Sequence, residues 1–124
     1  MSSTNPQLPA PVFASPDSAI NSELVDNAVH LWLLDARHFS ASHQANALRI
    51  MSSDEHERAQ KFIRGKEGYI ASRWLLRKVL ARYTGASPAD VRFLHTEKGK
   101  PYLPDSKIHF SLSHSVDWVL LAVG

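Results

Sequence analysis

Ile108-His109-Phe110-Ser111-Leu112-Ser113 alternates apolar and polar side chains, and five residues later Trp118-Val119-Leu120-Leu121-Ala122-Val123 runs almost wholly apolar. Alternation marks a strand with one buried face, and the second run reads as a buried strand. The short stretch between them, with Asp117 turning the chain, joins the two as a hairpin. A sheet therefore occupies the carboxy-terminal third.

Before it, Lys98-Gly99-Lys100-Pro101 is a turn signal, and Val91-Arg92-Phe93-Leu94-His95 is a further expected strand. The middle of the chain has helical spacing instead. Ser72, Leu75, Leu76, Val79, Leu80 and Tyr83 form one apolar stripe, which predicts a helix over residues 67 to 83 ended by Gly85. Ser52-Ser53-Asp54-Glu55 offers a capping serine with an acid three residues on, so a helix starts there and runs to about Phe62, with Gly65 as its break. Residues 43 to 50 read as a short helix. Val29-His30-Leu31-Trp32-Leu33-Leu34, ending at Asp35, reads as a strand, although such a run alone does not exclude buried helix. The order β-α-α-α-β-β-β predicts an α+β domain, helices packed on a small antiparallel sheet.

Residues 1 to 22 hold four of the seven prolines and many serines, and are expected to be a flexible tail before a domain at 23 to 124. With 124 residues, 44% of them hydrophobic, the chain is sized for one small core. It has no cysteine, which excludes disulfides and thiolate metal sites. No apolar stretch reaches membrane-span length and no secretory signal stands at the amino terminus, so the expectation is a cytoplasmic protein without membrane association. The chain stops at Gly124 directly after an apolar strand, which suggests truncation or a natural continuation.

The net charge is only +2, but Arg58, Lys61, Arg64, Lys66, Arg73, Arg77, Lys78 and Arg82 face a single acid, Glu67, within one stretch. Such a block fits a phosphorylated ligand, nucleic acid or an acidic protein, or else a solvated helix face. Lys66, Arg73 and Arg77 fall on one side of the long helix. Nucleic acid is disfavoured, because the basic residues are not interleaved with aromatics as stacking platforms require. The seven histidines show no metal-ligand spacing, and there is no Walker A loop, GxGxxG or nucleophile elbow. Asp54, Glu55 and Glu57 are explained as helix-start charges.

Two loops suit a phosphorylated nucleotide. In His95-Thr96-Glu97-Lys98-Gly99-Lys100-Pro101 the glycine permits close backbone approach and the lysines bring charge; the alternative is a plain charged turn. In Phe110-Ser111-Leu112-Ser113-His114-Ser115, hydroxyls and an imidazole gather at a strand end; the alternative is a polar turn.

Taken in order, Asp54-Glu55-His56-Glu57-Arg58-Ala59-Gln60-Lys61-Phe62, Ser72-Arg73-Trp74-Leu75-Leu76-Arg77, Lys98-Gly99-Lys100-Pro101-Tyr102-Leu103 and Phe110-Ser111-Leu112-Ser113-His114-Ser115 resemble the Sfp-type 4'-phosphopantetheinyl transferases of the holo-acyl-carrier-protein synthase superfamily. The resemblance runs from Val29 to Gly124 and leaves out the tail. It implies the amino-terminal half of a pseudo-twofold fold, with coenzyme A in the cleft between halves. It implies transfer of phosphopantetheine from coenzyme A to a serine of an acyl, peptidyl or aryl carrier protein, releasing 3',5'-ADP.

By the same resemblance Arg58 and His114 match contacts to the coenzyme's 3'-phosphate. His95, Thr96, Glu97, Lys98, Gly99 and Lys100 match the loop bordering the adenine, and Ser111, Leu112, Ser113 and His114 match the strand end beside the nucleotide. Arg73 and Arg77 are given a structural or field role. The family's magnesium-binding acids and its lysine fall beyond Gly124, so magnesium is expected only in a full-length enzyme and no catalytic or metal residue is assigned here. The partners implied are a carboxy-terminal half or a second copy of the chain. The alternative reading is a non-catalytic module that binds coenzyme A or a carrier protein as a dimer.

Overall fold

The computed structural model describes residues 12 to 14 and 29 to 124, except 105 and 116; for 12 to 14 only the backbone is considered. Six strands and three helices follow one another as β1 (Val12–Ala14), β2 (His30–Asp35), α1 (Ala41–Ile50), α2 (Ser53–Gln60), α3 (Lys66–Thr84), β3 (Leu94–His95), β4 (Pro101–Tyr102), β5 (Phe110–His114) and β6 (Trp118–Val123). Four strands form one sheet in the order β1-β2-β6-β5. It is antiparallel except where β1 lies parallel to β2. The α+β expectation holds.

Each helix start has a local cause. Ser52 accepts the Glu55 N–H while Glu55 Oε1 accepts the Ser52 N–H at 2.8 Å, the reciprocal cap expected from the sequence. Ser40 and His43 make the same exchange for α1. The long helix α3 ends where Gly85 adopts φ +77°, a left-handed stop that a side chain would strain.

Trp32 and Leu34 of β2 and Val119, Leu121 and Val123 of β6 alternate onto the sheet face that meets α3. Leu75, Leu76, Val79 and Leu80 of α3 are fully buried against them. Burying each such leucine stabilises by about 1.5–3 kcal/mol. Helix α1 also packs against α3. The expected hairpin of residues 108 to 123 is β5 and β6, with Leu112 opposite Leu121 and His114 opposite Val119.

Two expectations change. The strand expected over residues 91 to 95 is only two residues long, and it pairs with β4 in a separate hairpin, Leu94 opposite Tyr102. The Val91 carbonyl accepts from Arg77 Nη1 at 2.9 Å instead of from a neighbouring strand. The second change concerns the basic side of α3. Arg73 and Arg77 are 6% and 2% exposed, so they are neither a solvated face nor a surface patch. Of the stretch read as a tail, Val12–Ala14 is a strand and the rest lies outside the described residues.

Candidate nucleotide site

A cleft of about 790 Å³ opens between α2, the start of α3 and the β3–β4 hairpin. Asp54, Glu55, Glu57, Arg58 and Lys61 come from α2 and its end, and Tyr69 and Arg77 from α3. The opposite wall runs from Ala89 through Arg92, Phe93 and Leu94 to His95, Thr96, Glu97 and Gly99.

The loop in that wall is shaped by its own residues. Thr96 N–H donates to the Lys100 carbonyl at 2.8 Å, Gly99 N–H returns to the Thr96 carbonyl at 2.8 Å, and Thr96 Oγ1 accepts the Lys100 N–H at 3.1 Å. Gly99 turns the chain at φ +85°, where side-chain-bearing residues are strained. His95, Thr96, Glu97 and Gly99 line the cleft, whereas Lys98 and Lys100 are not among its lining residues.

Arg58 lines the cleft from α2 and is solvent-exposed. Its side chain makes no hydrogen bond or ion pair among the described residues, which leaves a full guanidinium fork for a ligand.

Behind the α2 wall the charges are buried. Glu55 Oε1 accepts from Arg77 Nε at 2.7 Å and lies 2.7 Å from Arg77 Nη2. Arg77 Nη1 also donates to the carbonyls of Pro88 and Val91, both at 2.9 Å, and its guanidinium lies over the Phe93 ring. The residue thus ties α2, α3 and the cleft's far wall into one body. Arg73 is different: its guanidinium lies over the Tyr69 ring at 5.0 Å and 3.6 Å from Glu55 Oε2, yet its Nε and Nη1 have no hydrogen-bond partner. A buried donor left unmade costs about 1–3 kcal/mol, more when charged.

The four residues Ser111, Leu112, Ser113 and His114 are divided by the strand's alternation. Leu112 and His114 lie opposite Leu121 and Val119, on the α3 side of the sheet. Ser111 and Ser113 lie opposite Ala122 and Leu120, and take the other face. None of the four is among the cleft's lining residues. His114 is nevertheless within the field of Arg73: burial first, and Arg73 second, hold its pKa below the usual 6.5. The pKa of His95 is lowered in the same way by burial, then by Arg73 and Arg58. Both imidazoles are therefore disfavoured as cations by burial first and by Arg73 second.

Sequence reasoning gave Arg73 a structural or field role and read Glu55 as a helix-start charge, without joining the two. A guanidinium on a helix face reads as solvated unless its partner is known, and Glu55 stands eighteen residues before Arg73 and looks complete as a helix cap. Among the described residues no group of three or more His, Cys, Asp or Glu could hold a metal ion. Among them, too, no helix is long and apolar enough to cross a membrane.

A family model described as 4'-phosphopantetheinyl transferase, N-terminal, matches residues 37 to 124. The chain belongs to that family. Among curated relatives, the 4'-phosphopantetheinyl transferase HetI of Nostoc sp. is 36% identical over 109 residues, covering 83% of this chain and 46% of HetI. The 4'-phosphopantetheinyl transferase Sfp of Bacillus subtilis is 29% identical, covering 69% of this chain and 40% of Sfp. The holo-[acyl-carrier-protein] synthase of Streptococcus suis is 32% identical, covering 65% and 76%. The chain spans less than half the length of the first two. The fold is shared with a crystal structure of a holo-(acyl-carrier-protein) synthase from Bacillus anthracis in complex with CoA (3',5'-ADP), at a TM-score of 0.60 and 19% identity, covering 77% of this chain and 91% of that one.

Proposed function

We propose that this phosphopantetheinyl transferase chain supplies the nucleotide-holding wall of the coenzyme A site. In the reaction a carrier-protein serine oxygen attacks the phosphorus that bears the pantetheine arm. The bond from that phosphorus to the bridging oxygen breaks, and 3',5'-ADP leaves. The observation that carries the reading is a cleft lined by Arg58 together with His95, Thr96, Glu97 and Gly99.

A 3'-phosphate is a compact dianion. It answers the unfilled donors of Arg58, and its charge suits two imidazoles whose protonation is held down by burial first and by cationic neighbours second. The loop residues His95, Thr96, Glu97 and Gly99 border the space a base would take, and Phe93 and Leu94 offer apolar wall. The chain's own contribution is binding and orientation.

Calorimetric titration with coenzyme A and with dephospho-coenzyme A tests this. The chain should bind the first at least about tenfold more tightly, since one charge-assisted contact contributes about 1.5–3 kcal/mol. Equal affinities would remove the 3'-phosphate assignment.

A further inference from the structure

Tyr69 and Phe93 both border the cleft, and their rings are differently placed. Tyr69 is 3% exposed, stacked on Phe62 with centroids 4.9 Å apart and covered by the Arg73 guanidinium at 5.0 Å. Its ring is taken up within the protein. Phe93 is half-buried instead. The Arg77 guanidinium lies over its ring, 5.2 Å from the centroid, and Phe110 meets it edge-on at 5.9 Å and 70°. Arg77 and Phe110 are themselves buried, so what remains exposed of the Phe93 ring is the part that borders the cleft.

The ring is also held in place. Arg77 is anchored by Glu55 and by the carbonyls of Pro88 and Val91, the second only two residues before Phe93. A ring already fixed by its neighbours loses little freedom when a ligand covers it. A flat aromatic surface at the wall of a cleft binds another π system by offset stacking, which needs no particular hydrogen-bond pattern. We infer that Phe93 is the stacking platform for the base of the nucleotide, with Arg77 fixed behind the ring. This rests on the nucleotide reading above and deepens it. Arg58 answers the phosphate, while Phe93 imposes the requirement for a planar aromatic group.

The test is proton NMR of 3',5'-ADP and of 5'-AMP titrated with the chain and with its Phe93→Leu and Phe93→Tyr variants. Affinities come from calorimetry, at a temperature where circular dichroism shows each protein folded. With the unsubstituted chain the adenine H2 and H8 resonances should move upfield and show nuclear Overhauser effects to the Phe93 ring protons. Phe93→Leu should abolish both signals and weaken the two nucleotides equally, by about tenfold. Phe93→Tyr should keep the upfield shifts and bind within about threefold. If Phe93→Leu does not fold, the Overhauser effects in the unsubstituted chain decide. Binding of 3',5'-ADP without them, or unchanged affinity in folded Phe93→Leu, overturns the Phe93 assignment and leaves the nucleotide reading standing. Binding of neither nucleotide by the unsubstituted chain overturns both.

Discussion

Arg77 donates to Glu55 at 2.7 Å from within α3, and the same side chain reaches the carbonyls of Pro88 and Val91 at 2.9 Å. One guanidinium therefore fixes the spacing between the two walls of the cleft. Replacing it by methionine keeps most of the volume but leaves Glu55 buried against Arg73 alone. Removing one partner of a buried pair costs about 3–5 kcal/mol. Urea unfolding of Arg77→Met should show that loss, and the double replacement Glu55→Leu with Arg77→Met should recover part of it.

Stability should depend on pH below neutrality. The pKa values of His95 and His114 are held below the ordinary 6.5 in the folded chain, by burial and then by Arg73. Their unfolded forms take up protons first as the pH falls, so the unfolded state gains and stability declines from about pH 6.5 downward. Ligand phosphate should reverse the sign, raising both pKa values and tightening binding over the same window. Melting temperatures and 3',5'-ADP titrations from pH 7.5 to 5 check this; the pair of substitutions His95→Gln and His114→Gln should flatten both profiles.

Much of the fold was legible because its signals are local. The Ser52–Glu55 cap, Gly85 after the apolar stripe and the alternation of residues 108 to 113 each act within a few positions, and each appears where expected. Features set by distant partners were not legible. Val91 to Phe93 have strand composition, yet Arg77 claims the Val91 carbonyl from another element. The basic side of α3 could not be separated into surface and interior, because burial of Arg73 and Arg77 depends on a carboxylate supplied by α2. Nor does the run from Ser111 to His114 show which sheet face would meet α3; the pairing with β6 settles it for each side chain.

Gly99 offers a sharper test of the loop. Nothing lies within 4 Å of where its Cβ would be, so an alanine meets no steric obstacle and the cost is conformational only. At φ +85° that cost is about 1–2 kcal/mol. Gly99→Ala should destabilise by that amount or reshape the turn that lines the cleft, with weaker 3',5'-ADP binding in the second case. Gly99→Asn should be milder, since asparagine tolerates this region better.

Arg58 is exposed and has no protein partner among the described residues, so its removal should leave stability within about 0.5 kcal/mol. Arg58→Ala should nonetheless weaken 3',5'-ADP binding about tenfold, and adding His114→Ala should weaken it further. Calorimetry beside thermal unfolding separates the two effects. Binding that survives both substitutions would remove these residues from the site.

The central claim is that the nucleotide end of coenzyme A sits in the cleft between α2 and the β3–β4 hairpin. A ¹H–¹⁵N correlation titration of the chain with 3',5'-ADP tests it most directly. Saturable shifts should concentrate at Arg58, at residues 95 to 100 and at His114, with the outer-face positions Leu33 and Leu120 unmoved. Saturable shifts centred elsewhere, or none at millimolar nucleotide, would contradict the account.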